Sequence, residues 1–156
     1  MGHLITTPEQ LANTIRNDPQ RVAECLHRIN RFGGQAVGCS VLQHSLGVYY
    51  RSLAQPLSVR LWALLHDCHE ILTGDVQRMY ENSSLTHQQK RIDGILCEVL
   101  GITVSGDDAF EILQADIAAG TYEFHRAIAG RHVYSMLEPV ADWVDSVRAL
   151  LSEVTK

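Results

Sequence analysis

One segment of the sequence constrains the fold more than any other. Residues 58–72 carry an almost unbroken apolar stretch at 61–65 and end at the stop signal Thr73-Gly74-Asp75. A helix that is apolar nearly all round has to be enclosed by other elements on every side. The segment therefore predicts a buried central helix within a helical bundle.

Helix signals recur along the rest of the chain. Pro8 and Pro19 stand at the first position of a helix, directly after the N-cap residues Thr7 and Asp18. Apolar residues at helical spacing predict further helices over 19–30, 41–54, 83–100, from Asp107 or Asp108 past Tyr122, and over 139–151. No stretch alternates apolar and polar residues as a half-buried strand does. The sequence thus predicts an all-α single domain over 1–156, with its core at about 19–130 and a C-terminal helix at about 139–152.

The composition fits a globular domain that works inside the cell. The 156 residues are 46% apolar and 20% charged, which suits one hydrophobic core. A formal net charge of −5 disfavours a dedicated nucleic-acid surface, which is usually basic, but permits a small anionic substrate. The cysteines form no C-x-x-C pair, and no apolar run approaches the roughly 18 residues of a membrane span. We therefore expect reduced thiols, a cytoplasmic location and no membrane partner.

Two adjacent ligand-type residues, His66 and Asp67, fall inside the predicted central helix. A buried Asp is tolerated mainly when it is paired or bound to a metal. His44 lies on the preceding helix and Asp116 on a later one, again among apolar residues. Two imidazoles and two carboxylates suit a divalent ion such as Zn²⁺, Co²⁺, Mn²⁺ or Ni²⁺, with positions left open for water and substrate. The alternative is a core hydrogen bond made by the His-Asp pair.

Two further carboxylates follow the His-Asp pair. Glu70 lies three residues after Asp67 and four after His66, hence on the same face of the predicted helix. It could move a proton to or from a reacting oxygen without being a ligand, or it could be a surface residue near a helix end. Asp75 follows the Thr-Gly turn, where it either faces the same pocket or caps the turn.

The order His44, then His66-Asp67, then Asp116 resembles the HD-domain phosphohydrolase superfamily. Segments 31–34, 40–45 and 63–75 are similar to its 5′-deoxynucleotidase branch and to small phage-encoded relatives, including dATP triphosphohydrolases. The resemblance extends over about 22–123. It implies a compact HD-type helical bundle, a metal held by the four named residues, and a homo-oligomer.

The resemblance also implies roles for residues around the metal. Glu70 would act on the attacking water or the leaving group, and Asp75 in catalysis or substrate orientation. Arg31 would hold phosphate, and Phe32, where the branch often has Trp, would pack on the nucleoside. The branch usually has a small residue at the position of His69, so any role of His69 would be particular to this chain.

The chemistry of the residues and the resemblance both indicate hydrolysis of a phosphate ester, and the resemblance implies the 5′-phosphate linkage of a deoxynucleotide. The short chain and the Arg-Phe-Gly-Gly motif look more like the phage group, which favours a deoxynucleoside triphosphate, in particular dATP, with Mg²⁺ as a second ion. A triphosphate needs further cations, for which Lys90, Arg91 and Arg78 are candidates, although Lys90 and Arg91 could equally form a solvated cationic face. The alternative substrate is a deoxynucleoside monophosphate.

Other classes of protein stay open as alternatives. An HD-fold oxygenase would hold two irons with extra histidines, for which His69 and His87 are available between Asp67 and Asp116. A cyclic-nucleotide phosphodiesterase also tends to need two metals, and its own motifs are absent. A non-catalytic HD protein would bind a nucleotide and signal through a partner, but such proteins tend to lose metal ligands. A phage-encoded enzyme would work in the host cytoplasm.

Overall fold

Helices make up the regular structure between residues 3 and 154, the part of the chain that the computed structural model describes, the side chain of Arg78 excepted. They are α1 (Pro8–Asn17), α2 (Pro19–Arg28), α3 (Val41–Arg51), α4 (Leu57–Leu65), α5 (Glu70–Thr73), α6 (Ser83–Leu100), α7 (Gly106–Ile128) and α8 (Pro139–Val154). The β-type pairing found in that part is an isolated antiparallel bridge between Asn30 and Ser40. The predicted all-α single domain is confirmed; its outermost residues, 1, 2, 155 and 156, lie outside the described part.

Capping residues set several of the helix ends. The side chains of Thr7 and Asp18 accept hydrogen bonds from the backbone N–H groups of Gln10 and Arg21, which starts α1 and α2. Gly101 ends α6 with a φ of 70°, the left-handed conformation that glycine adopts without strain. The predicted cap of α7 was wrong. Ser105 is the N-cap, and Asp108 completes a capping box by accepting from the Ser105 N–H.

The apolar segment 58–72 does not form one continuous helix. α4 ends at Leu65, and the chain continues through a turn at 66–69 before α5. In this turn the N–H groups of Cys68 and Glu70 bond three residues back, to the carbonyls of Leu65 and Asp67. His66 and Asp67 therefore leave the end of α4 instead of lying within a helix. The tighter winding brings residues three apart onto one face, which keeps Glu70 above Asp67.

α4 lies at the centre of the bundle, where it packs against α3, α7 and α8. Its residues 61–65 are buried, and the Trp143 indole N–H of α8 donates to the Leu64 carbonyl across 3.1 Å. α3 is also enclosed, because every residue from Val41 to Val48 is buried. The buried core takes Leu11 and Ile15 from α1 and Trp143 from α8, so it draws on both ends of the described chain.

The loop between α2 and α3 is closed at its base. The Arg31 N–H donates to the Cys39 carbonyl at 2.9 Å, and the Val41 N–H to the Ile29 carbonyl at 2.9 Å, on either side of the Asn30–Ser40 bridge. This pairing holds Arg31 beside the start of α3. Among the described residues, no helix combines the length and the apolar character that crossing a bilayer requires. The four cysteines are unpaired.

Candidate metal centre

Four predicted ligands come together where α3, the end of α4 and α7 meet. His44 Nε2 lies 2.9 Å from Asp116 Oδ1 and 3.4 Å from Asp67 Oδ2. His66 Nε2 lies 3.3 Å from Asp67 Oδ2 and 3.9 Å from Asp116 Oδ1. Donor atoms of side chains from three separate elements thus surround one point. His44, His66 and Asp116 form a group that could hold a metal ion. Asp67 adjoins this group through its Oδ2, which lies within 3.4 Å of both histidine nitrogens.

The spacing of these atoms fits the coordination shell of one divalent ion. Two donors that each lie about 2.1 Å from an ion are about 3.0 Å apart at a right angle and about 3.4 Å apart at the tetrahedral angle. Although His44 Nε2 and Asp116 Oδ1 are 2.9 Å apart, their direction does not make a hydrogen bond. His44 Nε2 and His66 Nε2 are both buried without a hydrogen-bond partner. Buried ring nitrogens that have no hydrogen-bond partner and face two carboxylates are typical of a site that binds a metal ion.

The other ring nitrogen of each histidine is held by an acceptor. His44 Nδ1 lies 2.6 Å from Glu123 Oε1, and His66 Nδ1 lies 2.8 Å from the Ala63 carbonyl. These acceptors favour the tautomer with the proton on Nδ1, which leaves the Nε2 lone pair directed at the centre. The pairing of a metal-type histidine with a second acceptor is a frequent feature of metal sites.

Glu123 is the functional residue that the sequence analysis missed. It is fully buried, and its carboxylate accepts from Arg31 Nε at 3.1 Å and from the Tyr134 hydroxyl at 2.8 Å in addition to contacting His44. A buried carboxylate with three partners is well compensated. One signal pointed to it: Glu123 lies seven residues, two helical turns, after Asp116 and therefore on the same face of α7.

The approach of Tyr134 to Glu123 depends on a glycine of α3. A Cβ added at Gly47 would collide with the Tyr134 hydroxyl. The small residue thus lets the phenol reach the carboxylate that fixes His44. This explains an otherwise unfavourable glycine inside a helix that is buried along most of its length.

Arg31 and Phe32 meet the centre from the loop before α3. Arg31 Nη1 lies 4.0 Å from Asp67 Oδ2, and its guanidinium sits over the Phe32 ring at 5.6 Å. Phe32 has a φ of 55°, a left-handed conformation that costs a non-glycine residue about 1–3 kcal/mol and is often found at functional sites. The two residues that the resemblance assigned to substrate binding are therefore both at the centre.

A cleft of about 470 Å³ opens beside the centre. Its described lining includes the predicted site residues Arg31, Phe32, Asp67, Glu70, Asp75 and Asp116. Apolar side chains of α7, among them Ile117 and Phe124, form one wall. Lys90 and Arg91 do not line the cleft; both are exposed on α6, as is His87. The cleft combines an acidic floor with an arginine and an aromatic ring.

The carboxylates around the centre divide into two groups by their pKa values. Burial alone would raise the pKa of Asp67, Asp116 and Glu123, but their histidine neighbours outweigh it and lower all three. Burial raises the pKa of Glu70 far above its usual range, and the charges of Asp67 and Asp75 add to this effect. Burial also raises the pKa of Asp75. Glu70 therefore holds a proton near neutral pH in the ion-free protein, while the ligand-type carboxylates are ionised.

The stability of the ion-free protein should fall as pH rises from about 6.5 toward 9. Burial lowers the pKa of His44, but Asp116 and Glu123 outweigh it and raise the value to about 9. The native state then holds a proton that the unfolded state has released, so stability declines with rising pH, by up to about 1.4 kcal/mol per pH unit. The raised pKa of Glu70 acts in the same direction.

Denaturant unfolding in the presence of a chelator at several pH values measures this slope. The matched control is the same protein saturated with a divalent ion, since a bound ion replaces the His44 proton and removes the decline. Stability of the chelated protein that stays level or increases over the interval would contradict the raised pKa of His44.

Comparison with known protein families finds no match for this chain, and comparison with curated proteins finds no significant one.

Proposed function

We propose that this protein is a metal-dependent phosphohydrolase that cleaves the 5′-phosphate linkage of a deoxynucleotide. The observation that carries the proposal is the convergence of orphaned His44 and His66 nitrogens with the carboxylates of Asp67 and Asp116 at the floor of a cleft. The residues present fit a divalent ion such as Zn²⁺, Co²⁺, Mn²⁺ or Ni²⁺. When bound, such an ion polarises a phosphoryl oxygen and makes water more acidic.

Arg31 supplies the phosphate anchor in this proposal. Its Nε is held by Glu123 and its side chain is largely buried, so the guanidinium is pre-oriented with its remaining N–H groups toward the cleft. A planar guanidinium suits two phosphate oxygens, and holding it in place beforehand reduces the entropy lost on binding. The pKa of Arg31, which burial lowers, is raised overall by Glu123 and Asp67, so the group stays charged.

Glu70 supplies the proton. Its carboxyl lines the cleft one tight turn from Asp67, and in the ion-free protein burial raises its pKa so that it holds a proton near neutral pH. We assign it the donation of that proton to the 5′-oxygen as the phosphorus–oxygen bond breaks, which releases a neutral nucleoside hydroxyl. Phe32 and Phe124, which both line the cleft, offer apolar surface for the nucleoside.

Two substrates fit this assignment. The similarity to phage triphosphohydrolases favours dATP, which would give deoxyadenosine and an intact triphosphate. The exposed positions of Lys90 and Arg91 outside the cleft favour the second candidate, a deoxynucleoside monophosphate, because these residues were two of the three extra cations expected for a triphosphate. The side chain of the third, Arg78, lies outside the described part of the structure. The protein would work in the cytoplasm, as a homo-oligomer.

Product analysis tests the proposal and separates the two substrates. The protein is loaded with Co²⁺ or Mn²⁺, its metal content is measured, and dAMP and dATP are supplied separately. We expect deoxyadenosine from at least one of them, with intact triphosphate as the partner product if dATP is cleaved. Nucleoside release from neither, by protein that demonstrably holds an ion, would leave a non-catalytic nucleotide-binding protein and overturn the enzyme proposal.

A further inference from the structure

A second group of ligand-type side chains adjoins the first and shares Asp67 with it. One ring nitrogen of His69 and one carboxylate oxygen each of Asp67 and Glu70 lie within 4.8 Å of one another. His69 and Glu70 are each only 8% exposed. The proposed function uses Asp67 and Glu70 but leaves His69, a buried imidazole beside the reacting centre, without a role.

A carboxylate fixes the ring of His69, as a carboxylate fixes the ring of His44 in the first centre. Its Nδ1 lies 2.8 Å from Asp93 Oδ1 on α6, just as His44 Nδ1 is held by Glu123. A carboxylate on Nδ1 fixes the ring orientation and favours the tautomer whose Nε2 has a free lone pair. His69 can thus offer its Nε2 as a ligand, with Asp93 as the residue that fixes the ring.

Asp67 has an oxygen to spare for a second ion. Its contacts with His44, His66 and Arg31 are all made through Oδ2. None of these three contacts uses the remaining oxygen, Oδ1. A carboxylate that gives one oxygen to each of two ions is suited to the spacing of about 3.5–4 Å found in two-metal sites.

Glu70 gives an independent indication of a missing ligand. Its Oε2 is buried without any hydrogen-bond partner. Leaving a buried carboxyl oxygen unpaired costs its desolvation penalty whether or not the group carries a proton. Native structures rarely keep such an atom unless a bound group completes its environment. A cation between Glu70, Asp67 and His69 would do so.

We propose that Asp67, His69 and Glu70 form a second divalent-cation site. The inference rests on the proposed function in one respect, since Asp67 would bridge to the ion of the first centre. One imidazole and two carboxylates suit Mn²⁺ or Co²⁺. Glu70 cannot donate a proton while it is a ligand, so the second ion inhibits turnover. The site is a regulatory one, filled at ion concentrations above those that load the first centre.

Metal titration of the whole protein with Mn²⁺ tests the site without reference to activity. We expect two ions per chain in the unsubstituted protein, the second bound more weakly, and an exchange-coupled pair in the electron paramagnetic resonance spectrum. His69→Gln should reduce the count to one ion and give the spectrum of an isolated ion. The matched control is His87→Gln, which alters an exposed histidine of α6 and should keep both ions.

Each result decides the inference. A single ion in the unsubstituted protein, or two ions retained in His69→Gln, overturns the second site. If His69→Gln does not fold, as its circular dichroism would reveal, the spectrum of the unsubstituted protein decides alone: a coupled pair supports the site and isolated ions overturn it. Turnover adds a further test. The turnover rate should fall at high Mn²⁺ in the unsubstituted protein and in His87→Gln but not in His69→Gln.

Failure of the proposed function gives a different pattern. A protein that binds no ion at all, or that carries one ion per chain and releases no nucleoside, contradicts the phosphohydrolase proposal. A protein that binds one ion and still hydrolyses nucleotide keeps that proposal and loses only the second site.

Discussion

Asp67→Ala is expected to abolish binding of the first ion and activity together. Asp67 Oδ2 lies within 3.4 Å of both orphaned histidine nitrogens, so the substitution removes a donor that both of them share. Without the ion, the cleft loses its main electrophile. Metal-ion catalysis contributes several kcal/mol, and each 1.4 kcal/mol corresponds to about tenfold in rate, so we expect turnover to fall at least about 1000-fold. Metal content after dialysis and nucleoside release measure the two effects on one sample.

The control for Asp67→Ala is Asp107→Ala, which removes an exposed carboxylate from the first turn of α7. It changes the net charge equally but leaves the centre intact, and it should keep both the ion and turnover. Asp67→Ala protein that is folded, as shown by an unchanged helical circular dichroism spectrum, yet binds one ion as tightly as the unsubstituted protein would show that Asp67 is not a ligand. The metal centre would then have to be rebuilt from His44, His66 and Asp116.

Local sequence signals were sufficient to predict the helices and to single out the four candidate metal ligands. Capping residues such as Thr7 and Asp18 act within one helical turn, so their effect is visible in the sequence. The His-Asp pair in an apolar context was likewise informative, because burial of a carboxylate demands a partner. The sequence analysis grouped His44 and Asp116 with the His-Asp pair, and the distances in the structure agree with this grouping.

Two contacts of the candidate site could not be predicted from the sequence, because no local pattern encodes them. Glu123 reaches His44 across 79 positions of the chain, and His69 reaches Asp93 across 24. Each pairing follows from how α7 and α6 pack against the central elements, which spacing along one helix does not reveal. The break at 66–69 was also missed, since its apolar flanks continue the helical pattern while its hydrogen bonds change from four residues apart to three.

Glu70→Gln is expected to keep the first ion and to lose turnover. Glutamine has nearly the same shape, so the fold and the donors of the first centre should be preserved, but an amide cannot donate a proton to the leaving oxygen. General acid catalysis contributes about 100- to 10,000-fold, and we expect kcat to fall within that range while KM changes little. Steady-state kinetics on the substrate identified by product analysis measures it, with metal content determined in parallel.

The matched control is Glu98→Gln, the same change at an exposed position of α6, which should leave kcat unaltered. If Glu70→Gln turned over at the rate of the unsubstituted protein, the proton would have to come from another group. Among the described cleft residues Asp75 is the candidate, because its pKa is raised by burial and its charge is one of those that raise the pKa of Glu70. The double variant with Asp75→Asn distinguishes the cases. A loss seen only in the double variant makes the two carboxyls interchangeable donors, whereas a full loss in Glu70→Gln alone fixes the donor at the residue one turn from Asp67.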